Sequence, residues 1–411
     1  MHNDIKVVHS KPAPKLPLIA TPIFKTPEEV ASHDTVLPLE QNNNVSEIIM
    51  PSIKRHKKFW PPTKKQSLIG GGILLVLLVI ISGSVYMAGQ YKPTTAVIAV
   101  TKTKPKPAVK VTNTVASTLS GLPVAPAANQ RPITAIMIEN TPAARPQSGL
   151  SQAGVVFEAL AEGGITRFMA LFQDQLPSNV GPIRSVRPYY LDWALGFDAP
   201  LAHVGGSPQA LADIPTLGIK NLDYMFYPGS YTRISSRQAP HNVYTSIANL
   251  ISLEAKLGWS SSSFSGWARK ADAPAQAPTA TTINFNPSYA TYNDQYSYNK
   301  TTNSYNRSEG GAPQIGATNN NQLSPKVVIG LIVPWTEGAL DSSNAYYSVY
   351  QDLGSGPAYV FQDGSLTIGQ WNKATAQTPL TFTDANGQPL KLNAGQTWIT
   401  ALASSNEISY N

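Results

Sequence analysis

Between Ser67 and Gly89 the chain reads SLIGGGILLVLLVIISGSVYMAG, 23 residues without a charge. Nothing else in the sequence restricts the fold as much. At about 1.5 Å of rise per residue, a helix of this length covers the roughly 30 Å hydrocarbon core of a bilayer. The run therefore predicts a transmembrane helix over 67–89. It is too long for the apolar part of a signal peptide and lies behind 66 residues. Lys54, Arg55, Lys57, Lys58, Lys64 and Lys65 crowd its N-terminal side, with Phe59 and Trp60 placed as an interfacial anchor, whereas Lys92 and a thin scatter of Lys follow it. The positive-inside rule then predicts a cytoplasmic N-terminus and residues 90–411 outside.

The charge distribution agrees with that division. Residues 1–130 hold 15 Lys plus Arg against 6 Asp plus Glu, while residues 131–411 hold 16 against 18. The basic character of the chain belongs to its front part, so no nucleic-acid partner is implied for a folded domain. The sequence has no cysteine, which removes thiol catalysis, cysteine-based zinc sites and disulfides.

Residues 1–66 predict a disordered cytoplasmic tail, rich in Pro, Lys and polar residues without period. Residues 90–131 predict an extracytoplasmic linker, rich in Pro, Thr, Val and Ala. From Pro132 the texture changes. ITAIMIEN, AGVVFEAL and ITRFMALFQ are β-rich, RPYYLDWALGF reads as a helix, and APLAHVGGS as a strand ending in glycines. SPQALADI reads as a short helix capped by Ser207, and NVYTSIANLISLEAKLG as a helix stopped at Gly258. Residues 132–270 thus predict an α/β domain. A Pro/Ala linker over 271–280 leads to 281–411, where aromatic and β-branched runs around Asp-Gly and Asn-Gly turns predict a smaller, mostly antiparallel β domain. The expected class is α+β or α/β with a membrane-anchored ectodomain.

Between residues 131 and 245 the basic residues are Arg131, Arg145, Arg167, Arg184, Arg187, Arg233 and Arg237, against the single Lys220. Arginine is the side chain for fixed, bidentate contact with carboxylate or phosphate. The two histidines beyond the apolar run, His203 and His241, fall in the same region. Three segments concentrate these groups: EALAEGGITRF, GPIRSVRPYY and SSRQAPHNVYTS. They predict a cleft in which Arg167, Arg184, Arg187, His203, Ser207, Arg237 and Asn242 bind an anionic ligand, with Glu162 and His241 handling protons. The opposing expectation is structural, with Glu158 or Glu162 paired to one or two of the arginines and the histidines bonded inside the fold. No serine-hydrolase elbow, zinc-protease helix, phosphate-binding loop or dinucleotide fingerprint is present, so no cofactor and no metal is implied.

RPQSGLSQAGVVFEALAEGGITRFMALFQ, VGPIRSVRPYYLDWA, HVGGSPQAL and SSRQAPHNVYTS resemble the N-terminal domain of the YerB-like putative lipoproteins, a bacterial family of unknown function. GSGPAYVFQDGSLTIGQWNK and TFTDANGQPLKLNAGQTWI resemble its C-terminal domain. The resemblance runs through residues 132–411 and implies a membrane-attached, extracytoplasmic protein of the bacterial envelope, with no established activity. Its motifs contain Arg167, Arg184, Arg187, His203, Arg237, His241 and Asn242. Family members resemble lipoproteins held by a cysteine, which this chain lacks, so the apolar run is the expected anchor. The expected function is recognition of an anionic cell-wall polymer or fragment. A hydrolase or transferase acting on a cell-wall glycan and a scaffold recruiting protein partners are the alternatives.

Overall fold

The computed structural model describes residues 113–340 and 346–411. The predicted tail, the apolar run 67–89 and most of the predicted linker lie outside the described residues, and with them the predicted orientation. Among the described residues no helix is long and apolar enough to cross a membrane.

The described residues are mostly β, with three short α-helices. In chain order the principal elements of the first half are β1 (Thr134–Glu139), β2 (Val155–Leu160), β3 (Thr166–Phe172), α1 (Pro188–Leu195), β4 (Leu201–His203), α2 (Pro208–Leu217), β5 (Asn221–Asp223) and α3 (Ile247–Lys256). The second half adds β6 (Thr282–Phe285), β7 (Asp294–Asn299), β8 (Ser304–Glu309), β9 (Ala312–Pro313), β10 (Val327–Ile332), β11 (Trp335–Leu340) and β12 (Tyr346–Tyr350). It ends with β13 (Gly354–Gln362), β14 (Ser365–Lys373), β15 (Thr381–Thr383), β16 (Thr397–Leu402) and β17 (Ile408–Tyr410).

Ten strands form one mixed sheet in the order β15-β14-β13-β10-β16-β2-β3-β1-β4-β5. Its centre joins the two halves. β16 runs parallel to β2, with Thr397 opposite Val155 and Thr400 opposite Glu158, and parallel to β10 on its other side. These inner strands are covered on both faces, which is why TAIMIE, VVFEAL and TWITAL read as continuous rather than alternating runs. Alternate residues still point opposite ways. Ala135, Met137, Val155, Phe157 and Ile399 pack with Tyr189, Tyr190 and Trp193 of α1 and Ala210 and Ile214 of α2. Ile136, Ile138, Val156 and Trp398 pack with Ile247, Leu250 and Leu253 of α3 and with Ile283, Phe285, Tyr296 and Tyr305 of a second sheet. That second sheet has the order β9-β8-β7-β6-β17.

Two predicted boundaries change. The 271–280 segment does not separate two cores, because the strands on either side of it share the central sheet. It lies along the Asp363-Gly364 turn, where the amide of Ala273 donates to Asp363 Oδ1 (3.2 Å) and that of Thr279 to the Gly364 carbonyl (2.9 Å). Asp363 and Gly364 have φ of 59° and 75°, the left-handed pair that a tight two-residue hairpin requires. Residues 113–131, predicted as linker, belong to the fold. Leu119 is fully buried, and Ser117 and Ser120 both donate to the Asp174 carboxylate. The predicted antiparallel character of 281–411 holds for β6–β9 and β13–β15, while β10 and β16 are a parallel pair.

The local signals for the helices are met. Ser207 caps α2 through Oγ, which accepts the Ala210 amide (3.3 Å), and Ser246 caps α3 through the Asn249 amide (3.1 Å). α1 begins at Pro188 and follows Arg187 as its N-cap position, where the missing proline N–H costs nothing.

On α3, Glu254 is fully buried beneath β1; its Oε1 accepts from Thr134 Oγ1 (2.7 Å) and its Oε2 has no partner. Burial pushes its pKa from 4.5 up to about 7. The folded chain thus holds a proton that the unfolded chain releases, and stability falls as pH rises from 4.5 to 7. Glu254→Gln is expected to remove about 3 kcal/mol of that decline, read from urea midpoints across the window.

Candidate functional site

The sequence-predicted residues divide into a buried group and a group at the surface. Glu162 follows β2, and Arg167 lies on β3; the Arg167 guanidinium donates to both Glu162 oxygens, at 2.6 and 3.2 Å. Arg187 donates to Glu162 Oε2 from the start of α1 and to the Val186 carbonyl at 2.8 Å. Arg167 and Arg187 are 2% and 4% exposed, so neither presents its charge to a ligand. Burial opposes ionisation of Glu162, but the two guanidinium groups outweigh it and hold its pKa below the usual carboxylate range. Glu162 is therefore placed as the counter-ion of Arg167 and Arg187.

His203 lies inside the fold. It is fully buried on β4, with Nδ1 against the Gly205 carbonyl (2.7 Å) and Nε2 against Asn221 Oδ1 (2.8 Å). Ser207 is 2% exposed and its hydroxyl serves the helix cap. Glu158 turns to a partner that the arginine pattern did not include. Its Oε2 accepts from Arg307 on β8 (2.7 Å) and from Trp398 Nε1 on β16 (3.1 Å).

Arg307 on β8 is a fully enclosed charge. Fully buried, it meets Glu158, Asp294 and Glu309, and its guanidinium lies 4.3 Å from the Trp398 ring centroid. The three carboxylates lie within 4.8 Å of one another, a spacing that also suits a metal ion, but the guanidinium already supplies the cation between them. Burial raises the pKa of Asp294 well above the ordinary range, against the pull of Arg307 and with further help from Glu158 and Glu309. The enclosure thus disfavours the ionised form of Asp294. The cluster arises from inward positions of a paired hairpin, with Asp294 opposite Glu309 and Tyr296 opposite Arg307. The period-2 pattern of Tyr305, Arg307 and Glu309 was the available signal.

Of the remaining predicted residues, Arg237 and His241 line one surface groove. Glu139, 1% exposed at the end of β1, lies behind the groove wall, bonded to His241. Glu139 accepts from Thr141 Oγ1 (2.9 Å), pairs with His241 Nδ1 (2.8 Å) and lies 3.6 Å from Arg184 Nε. The Glu139 contact holds the His241 imidazole through Nδ1. The side chains of Arg184 and His241 are each 26% exposed. Arg237 fixes the neighbouring loop by donating to the carbonyls of Ala143 and Pro146. Arg145 spans the two halves, donating to Asn140 Oδ1 (3.2 Å), Glu309 Oε1 (2.9 Å) and the Thr291 carbonyl (3.0 Å). The resulting groove, about 510 Å³, is lined by Ala143, Arg145, Ser236, Arg237, Gln238 and His241. Asn242 stands beside it and accepts from Arg233 Nη1 (2.8 Å). Glu139 was not singled out by the sequence, although a lone carboxylate closing the apolar run ITAIMIEN marked it.

Residues 119–260 match the family described as protein of unknown function (DUF3048) N-terminal domain, and residues 282–399 match its C-terminal domain. The chain is 29% identical over 286 residues to the putative lipoprotein YerB of Bacillus subtilis (strain 168), covering 68% of this chain and 84% of that protein. The crystal structure of YerB protein from Bacillus subtilis superposes with a TM-score of 0.64 at 25% identity, covering 72% of this chain and 99% of the other.

Removing Arg307 while leaving its acids should be costly. Arg307→Ala is expected to destabilise the chain by about 3–5 kcal/mol, because it strands buried carboxylates. Arg307→Ala with Glu158→Gln should recover part of that loss in chemical denaturation.

Proposed function

The chain belongs to the DUF3048 family, and from that premise we propose that it is a membrane-anchored envelope protein whose groove recognises an anionic ligand. The observation that carries the reading is the groove wall itself: Arg145, Arg237, His241, Ser236 and Gln238 line it, with no carboxylate among them. Arg184, 26% exposed, adds a guanidinium near His241 through their shared partner Glu139. Guanidinium groups held in place by backbone carbonyls are preorganised for a phosphate or carboxylate, since little side-chain entropy is left to lose. The naming of the relative as a lipoprotein supports membrane association, and the uncharged run 67–89 supports a helix as the anchor in this chain. A cell-wall polymer or a fragment of it, bearing carboxylates or phosphates, is the ligand class that this placement favours.

One observation favours a second reading. Glu139 orients His241 through Nδ1, and Ser236 lines the same groove. A carboxylate-held imidazole beside a hydroxyl is the arrangement that hydrolysis or group transfer on a wall glycan would use. In that reading His241 is the general base and Glu139, rather than Glu162, is its partner.

Co-sedimentation of the full chain with cell-wall sacculi separates these readings. Arg184→Ala and His241→Ala are each expected to lower the bound fraction about tenfold, with Tm shifts within about 2 °C, as for partly exposed side chains. Soluble fragments released by the unaltered chain and not by His241→Ala would favour hydrolysis. Unchanged binding in both variants would end the groove reading.

A further inference from the structure

A second cavity, of about 530 Å³, lies between α1 and the β11–β12 hairpin, and the groove reading leaves it unused. Tyr189, Leu340, Val349 and Tyr350 give it an apolar and aromatic wall, and Leu340 and Val349 are 49% and 50% exposed. Two carboxyl groups, Asp192 and Asp352, interrupt that wall. Asp352 is 6% exposed, and its buried Oδ2 has no hydrogen-bond partner. A buried acceptor in that condition costs free energy until a donor reaches it.

The charges around the pair do not balance. Lys373 on β14 acts on both acids, but its ammonium is spent on the carbonyls of Ala376 (2.7 Å) and Thr378 (2.8 Å). Asp213 of α2 adds a further negative charge towards Asp192. Once ionised, the two lining acids exceed the single neighbouring ammonium by one charge. A ligand that fits must bring one cation, hydrogen-bond donors and an apolar body.

We propose that this cavity binds a primary ammonium group on an unbranched apolar stem, the ammonium meeting Asp352 and Asp192 and the stem lying along Leu340 and Val349. An ammonium offers three donors for the two carboxyl groups. The titration behaviour is consistent with the geometry. Burial pushes Asp352 up to about 7, with Asp192 adding to the rise, and pushes Asp192 up to about 6. Burial also brings Lys373 down to about 8, so this internal competitor weakens as pH increases. Binding of the cation must expel protons from the acids, so affinity should rise from pH 5 to pH 8.

Calorimetric titration of the full chain with n-hexylammonium, n-hexanol and N-acetyl-lysine amide tests the assignment. The expected result is hexylammonium binding at pH 8 that weakens at least tenfold at pH 5 and at least tenfold in Asp352→Asn, with no matching signal from hexanol. Tighter binding of the lysine amide than of hexylammonium would support the same chemistry with a protein side chain as its source; the reverse order would support a free amine. Hexanol binding as tightly as hexylammonium, or affinity indifferent to pH, would overturn it. Should Asp352→Asn fail to fold, Asp192→Asn and the pH series on the unaltered chain carry the same decision.

Discussion

The guanidinium of Arg307 is the interaction on which the rest of the described structure depends. It comes from the hairpin of the second half, its acidic partner Glu158 from the central strand of the first, and the covering indole from Trp398 at the C-terminal end of the family match. A charge buried this completely is tolerable only if its partners are present together. The cluster therefore couples the placement of β8, β2 and β16: none can leave without stranding a charge. The direct pairing of β16 with β2 supplies backbone hydrogen bonds along the same seam.

From that seam the arginines take different tasks within a few residues. Arg187 turns inward to Glu162 and helps fix the start of α1, while Arg184, three positions earlier, turns to Glu139 behind the groove wall. The backbone between them explains the split. Ile183 bridges to Ile138 and Val186 to Gly206, so the segment is held as an extended strip between β1 and the turn after β4. On such a strip, positions an odd number apart face opposite sides. The question of whether an arginine-rich run marks a site or a scaffold thus has two answers inside one decapeptide.

Much of the fold was legible in the chain. The helices announced themselves through Ser207, Pro188 and the periodic apolar residues of 247–256, and the hairpins through Asp363-Gly364 and the alternation in 294–309. These signals are local, and local chemistry writes them. What could not be read was which distant strands share a sheet. Residues 271–280 look like a linker because Pro and Ala carry no strand signal, yet their amides are consumed by the Asp363-Gly364 turn. The site was legible only in part for the same reason. Residue type singled out Arg184 and His241, which are partly exposed, together with Arg167, Arg187 and His203, whose burial depends on neighbours far along the chain.

The parallel pairing of β16 with β2 also sets a schedule. Gln396, just before β16, is bonded to Leu150 and Ala153, 246 and 243 positions earlier. A ribosome adding roughly 5–20 residues per second needs at least some ten seconds between those points. Throughout that interval β2 has one open edge and Glu158 lacks Trp398, and until residue 307 is made it lacks Arg307 as well. Completion of the central sheet is therefore a late event that waits until residues 397–402 have been made.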